Sequence, residues 1–230
     1  MMPGVGEVSG SIRVAEDFFS CGAAILGTTP PLPVISEELT KENASVLLGG
    51  QLTSLLRQFQ GVTDRASQFV SARPHEILAV RPQSDRWSAA ECFDHLARTT
   101  EAFLPPINEA IIAAPRLSGN RRLRAGAVAS LLIRSLEPPY RLKHKVLAQL
   151  APQHREFPPA WSAFLNSQAH LLRAVRSATG LAIDEVKIQS PVCARLSYNA
   201  YGALGILAAH QRRHLWQAEQ VLKALETSAA

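Results

Sequence analysis

The stretch Leu207-Ala-Ala-His-Gln-Arg-Arg-His-Leu-Trp-Gln217 decides how this chain is read. It sits near the C-terminal end of a long apolar helical pattern. His210 and His214 are four residues apart, so on a helix they lie on one face, one turn above the other. Working outward, Ala203, Leu207, His210, His214, Gln217 and Val221 follow an alternating four-then-three step, the inward seam of a packed helix. Burying a polar side chain without a partner costs about 1–3 kcal/mol. A seam of Leu and Ala would avoid that cost, so this one reads as ligands placed inside a bundle.

Other segments carry the same period. Leu48, Leu52, Leu55, Phe59, Val62, Ala66 and Phe69 predict a first helix over about 42–73, ended by Pro74. After a loop through residues 81–87, Ser88 and Glu91 have the spacing of a capping box. They open a second helix that runs to about Ala113. Pro105-Pro106 should kink or interrupt it, because proline donates nothing to the backbone ladder. A third helix is expected over 162–178, with Phe164, Leu171, Leu172 and Val175 inward and Gly180 closing it. The fourth spans about 200–225. Residues 114–160 form a long crossover with short helices near 126–136 and 141–150, broken by Pro138-Pro139. Residues 186–191 read as extended. The expected fold class is therefore all-α: a four-helix bundle with a long, helix-containing crossover between helices two and three. Residues 1–41 read as an N-terminal extension without sustained period, and residues 42–226 as the bundle domain.

Composition narrows the function classes. Hydrophobic residues make up 47% of the 230 and charged residues 19%, a globular balance. No apolar run reaches the roughly 18 residues that span a bilayer. Residues 1–17 hold one arginine and three acids, a poor start for a signal peptide, so a cytoplasmic protein is expected. The cysteines, Cys21, Cys92 and Cys193, are odd in number and form no CxxC pair, which argues against a disulfide framework. Cys92 reads as a small buried apolar residue. The net charge of +5 is concentrated: residues 116–145 hold eight Lys/Arg against Glu137 alone. With little aromatic interleaving beyond Tyr140, that segment reads as a solvated basic face, and nucleic acid is not expected as a partner. Helix faces this apolar leave room for a homodimer.

A third histidine completes the constellation. His95 lies on the stripe Ser88, Cys92, His95, Thr99 and Phe103, also an inward seam. If the second and fourth helices pack side by side, His95, His210 and His214 converge on one metal ion. Three protein ligands with an open fourth position describe a catalytic site, where a water or a substrate thiolate would be activated. Around them, Gln217 could orient His214 or a bound water, and Arg213 could attract an anionic substrate. Asp94 points a quarter-turn from His95 and is a weaker candidate. Glu91 is explained by capping. No catalytic acid or base is identified, and no phosphate loop, GxSxG or HExxH motif occurs.

Trp87-Ser-Ala-Ala-Glu-Cys-Phe-Asp-His-Leu96 resembles the second-helix signature of the DinB-like superfamily, and Leu207–Gln217 resembles its fourth-helix signature. Leu136-Glu-Pro-Pro-Tyr-Arg-Leu-Lys143 and Ser190-Pro191 also resemble segments of one DinB-like branch. The resemblance covers about residues 42–226. It implies a four-helix bundle binding a divalent metal ion, zinc, nickel or iron, through His95, His210 and His214. The superfamily it resembles includes thiol-dependent S-transferases and isomerases that use a low-molecular-weight thiol (bacillithiol, mycothiol or glutathione), beside many members of unknown activity. A metal at the three histidines would activate a thiolate for S-transfer onto a small-molecule electrophile, or a water for hydrolysis. The alternative is a non-catalytic, stress-associated bundle with a structural or vestigial metal site.

Overall fold

The computed structural model describes residues 49–119, 121–138, 140, 146–153 and 156–229. The expected extension and the start of the first helix, Leu48 included, lie outside the described residues, as do 141–145 of the second short crossover helix. Within them, α1 spans Gly49–Ser71, α2 His75–Leu78, α3 Ala89–Ala113, α4 Gly126–Leu136, α5 Phe157–Ser177 and α6 Ala200–Ala229. A small antiparallel hairpin, β1 (Lys187–Gln189) and β2 (Ser197–Asn199), pairs Ile188 with Tyr198. The chain is an all-α bundle of four long helices, α1, α3, α5 and α6. Going round it, α3 packs on α5 and α6, and α1 closes the other side against the same two. None of the described helices is long and apolar enough to cross a membrane.

The 3.6-residue stripes explain the packing. Leu52, Leu55, Phe59, Val62, Ala66 and Phe69 are all buried along α1. The capping box forms as spaced: Ser88 Oγ accepts from Glu91 N at 3.1 Å, and Glu91 Oε2 accepts from Ser88 N at 2.9 Å. Helix α3 runs on through Pro105 and Pro106, so the prolines do not interrupt it. The prolines sit on its outer side, where the carbonyls of Glu101 and Ala102, deprived of their donors, can turn to water. Helix α5 starts at Phe157, five residues before expectation, because Pro158 and Pro159 occupy a first turn whose N–H groups have no intrahelical partner. The crossover forms α4 as expected, but near 148–150 only a single 3-10 turn is present. Gly202 lets α4 lie on α6: a Cβ there would stand 2.5 Å from Ala129 Cβ and 2.7 Å from Ala125 O.

The core is divided. One apolar cluster joins Leu52–Phe59, Phe103–Ile111, Leu171–Ala178 and Ala200–Ala208; a second joins Val62–Val70, Ala89–Leu96, Phe157–Phe164 and Leu215–Leu222. Between them, at one level of the bundle, lie the buried polar side chains Thr99, Thr100, Ser167, Gln168, Gln211 and His214. The histidines occupy this polar layer.

Candidate metal centre

His210 and His214 lie on the inward face of α6 with ring centroids 4.4 Å apart and planes tilted by 56°. His95, on α3, brings its ring to 5.0 Å from His210 and 4.6 Å from His214. Each ring offers one nitrogen to a common point, all within 4.8 Å of one another, and His95 Nε2 lies 3.1 Å from His210 Nε2. Nitrogens about 2.0–2.1 Å from a tetrahedral ion stand roughly 3.4 Å apart, so the His95–His210 pair need only open slightly and no pair need move by more than about 1.4 Å. Imidazole donors suit zinc, nickel and iron alike. This is the one such group among the described residues, and it can hold a metal ion.

His95 is oriented from behind. Its Nδ1 donates to the Leu150 carbonyl at 2.7 Å, which leaves the Nε2 lone pair facing the other two rings. The segment that supplies this carbonyl is held by neighbours of His95 on α3. Arg98 Nη2 donates to Gln149 O at 2.6 Å, and Gln153 N donates to Asp94 Oδ2 at 3.0 Å. Three side chains within five residues of α3 thus grip residues 149–153. Burial lowers the pKa of His95, opposed by the Leu150 carbonyl. Burial lowers His214 well below the ordinary histidine range, helped by His210 and His95 beside it. Both rings are therefore neutral at neutral pH, the form that ligates metal.

The other candidates fall as follows. Asp94 is buried, its Oδ2 accepts from Gln153 N, and its charge acts on His95 to favour the protonated ring. Gln217 contacts His214 and acts weakly to favour its charged form. Arg213 is half-buried beside His214, and its guanidinium lies 5.6 Å from the Tyr140 ring centre. Glu91 does more than cap: its buried carboxylate also pairs with Arg81, whose Nε donates to Oε2 at 2.7 Å. Arg81 in turn donates to Ser84 O at 3.0 Å, fixing the loop that leads to Trp87. Burial pushes the Cys92 thiol far up, so it is inert. His170 is exposed, and His75 packs near Phe157; His144 and His154 lie outside the described residues.

Sequence reasoning missed two members of the site. Trp87 is a wall, with its ring 5.0 Å from His95 and stacked at 5.9 Å and 25° on His214. Its signals were its place just before the helix cap and at the head of the signature quoted above, and neither gave it a role. The Leu150 carbonyl is a main-chain group and left no signal at all.

No curated protein and no solved structure matches the chain. A family model described as the DinB superfamily matches residues 58–218, well over half of the sequence and inclusive of all three histidines. The chain belongs to the DinB superfamily.

Proposed function

We propose that this protein is a divalent-metal-dependent enzyme in which His95, His210 and His214 hold one ion of zinc, nickel or iron. The observation that carries the reading is the convergence of three imidazoles from two helices in a buried polar layer, two of them held neutral by their surroundings. Bound there, the ion would supply Lewis acidity and lower the pKa of a thiol or water at its remaining position. The chain's own groups prepare that chemistry. Leu150 fixes the tautomer of His95. Trp87 covers one side of the cluster and offers an apolar wall to a substrate body. Arg213 favours an anionic substrate near His214. Asp94 and Glu91 are turned to structural partners, so neither stands ready as a general base. This favours a thiol nucleophile, since a thiol of pKa about 8.5 gives up its proton far more easily than water. The proposed reaction is accordingly S-transfer from a low-molecular-weight thiol to a small electrophile, with hydrolysis as the alternative.

The test is an assay of the full chain loaded with each metal. One arm supplies glutathione, bacillithiol or mycothiol with an electrophilic aryl halide; the other supplies esters and amides. Thiol-dependent turnover above that of free metal, lost in a folded His210→Ala variant and after chelation, supports the proposal. A tightly bound ion without turnover in either arm would overturn it in favour of a structural site.

A further inference from the structure

A second recess lies on the other side of α6. Tyr201, Gly205 and Arg212 line it, and Arg212 is two positions, or about 200° of helix, from both His210 and His214. None of the three histidines borders this cavity, which holds about 800 Å³, within the range of small-molecule sites. Its floor is apolar, formed by Leu52 and Leu55 of α1, Leu117 and Ile133. Its charged lining residues are all cations, Arg121, Arg122 and Arg212, beside the neutral polar Gln51, Ser54, Gln58 and Tyr201; an adjoining recess of about 550 Å³ runs past Arg121, Arg122 and Arg124.

The arginines are held in place by acids that do not line the cavity. Arg121 donates to Asp184 at 2.8 and 3.0 Å and to Glu185 at 2.6 Å. Arg212 pairs with Glu137 and donates to Gln58 at 2.7 Å. A guanidinium carries five N–H donors, so each retains donors beyond these bonds. Arg122 is exposed and pairs with no carboxylate among the described residues. Gln51 braces the rim, donating to Leu123 O at 3.0 Å and accepting from Leu123 N at 2.7 Å. Four arginines (Arg121, Arg122, Arg124, Arg212) stand against three acids (Asp184, Glu185, Glu137), which leaves a surplus of one positive charge.

We propose that this cavity is a binding site for a small organic monoanion, a carboxylate on an apolar body. The head would meet Arg122 and its neighbours at the mouth, and the body would lie on the leucine floor. Such a site is separate from the metal centre and does not depend on it. Titration calorimetry of the full chain with monomeric octanoate, with acetate and octanol as comparators, tests it. Octanoate should saturate one site per chain, while acetate, lacking the body, and octanol, lacking the charge, should bind at least about tenfold more weakly. Arg122→Glu, an exposed change that spares the fold, should weaken octanoate about tenfold or more, and Arg122→Lys should restore part of the loss. Leu117→Trp, which fills the floor, should weaken it too. Absence of saturation, octanol binding as tightly as octanoate, or Arg122→Glu binding like wild type would each overturn the proposal.

Discussion

The two faces of α6 hold polar groups under opposite conditions. The inward face, with His210, His214 and Gln217, meets α3 and the polar layer. Its chemistry is that of neutral nitrogen, because burial penalises the charged imidazole. The outward face, with Tyr201, Gly205 and Arg212, borders an open cavity, and there full charges persist beside carboxylates. Burial thus sorts the ligands. A site inside the bundle can supply uncharged donors to a cation, whereas a half-open site can supply cations to an anion. One helix serves both because glycine at 202 and 205 brings α4 and Ile133 close on one side, while the histidine seam meets α3 on the other.

The sharpest way to break this contrast is to exchange the two kinds of group. His214→Arg places a fixed charge in the polar layer and should cost about 3 kcal/mol or more in denaturant unfolding. Arg212→Met on the open face should change stability by less than about 1 kcal/mol. Equal effects would contradict the distinction.

Acidity probes the inward face alone. His95 and His214 have pKa values lowered in the folded state, so the unfolded chain binds more protons below about pH 6.5. The stability these neutral rings contribute is present above that pH and is lost as pH falls through their folded values. Metal-free protein should therefore show a falling thermal midpoint between pH 7.5 and 5, and His214→Gln should flatten the slope. A midpoint that does not fall, or a slope the variant leaves unchanged, would count against burial as the cause.

Asp94→Ala should release residues 149–153 and with them the carbonyl that orients His95. Metal affinity should drop about 10–100-fold while helix content is kept. An unchanged affinity, read by competition with a chromogenic chelator, would make the grip on that segment merely structural. The smallest effect concerns the layer itself. Both amide atoms of Gln168 are buried without a hydrogen-bond partner among the described residues. Gln168→Leu should raise stability by about 1 kcal/mol. A loss instead would show that the amide is satisfied by internal water.

The fold was legible wherever side chains report burial by their period. Leu52 through Phe69 on α1 and Cys92 through Phe103 on α3 point inward as their spacing implies. The histidine convergence was legible for the same reason, since His95, His210 and His214 sit on such seams. What was not legible depends on neighbours or on main chain. Pro105 and Pro106 leave the helix uninterrupted because their face meets solvent, and Pro158 and Pro159 begin a helix because the first turn needs no donors. The three-residue β2 is too short to show a period, and α2 is a single turn. Leu150 contributes a carbonyl, which every residue has.

If the inward face of α6 and His95 together hold one metal ion, elemental analysis shows it, on protein purified without a His-tag or chelator, beside the His210→Ala and His170→Ala variants. About one zinc, nickel or iron per chain is expected in the wild type and in His170→Ala, and none in His210→Ala. Equal metal content in all three, or none after reconstitution of the wild type, would contradict a three-histidine site.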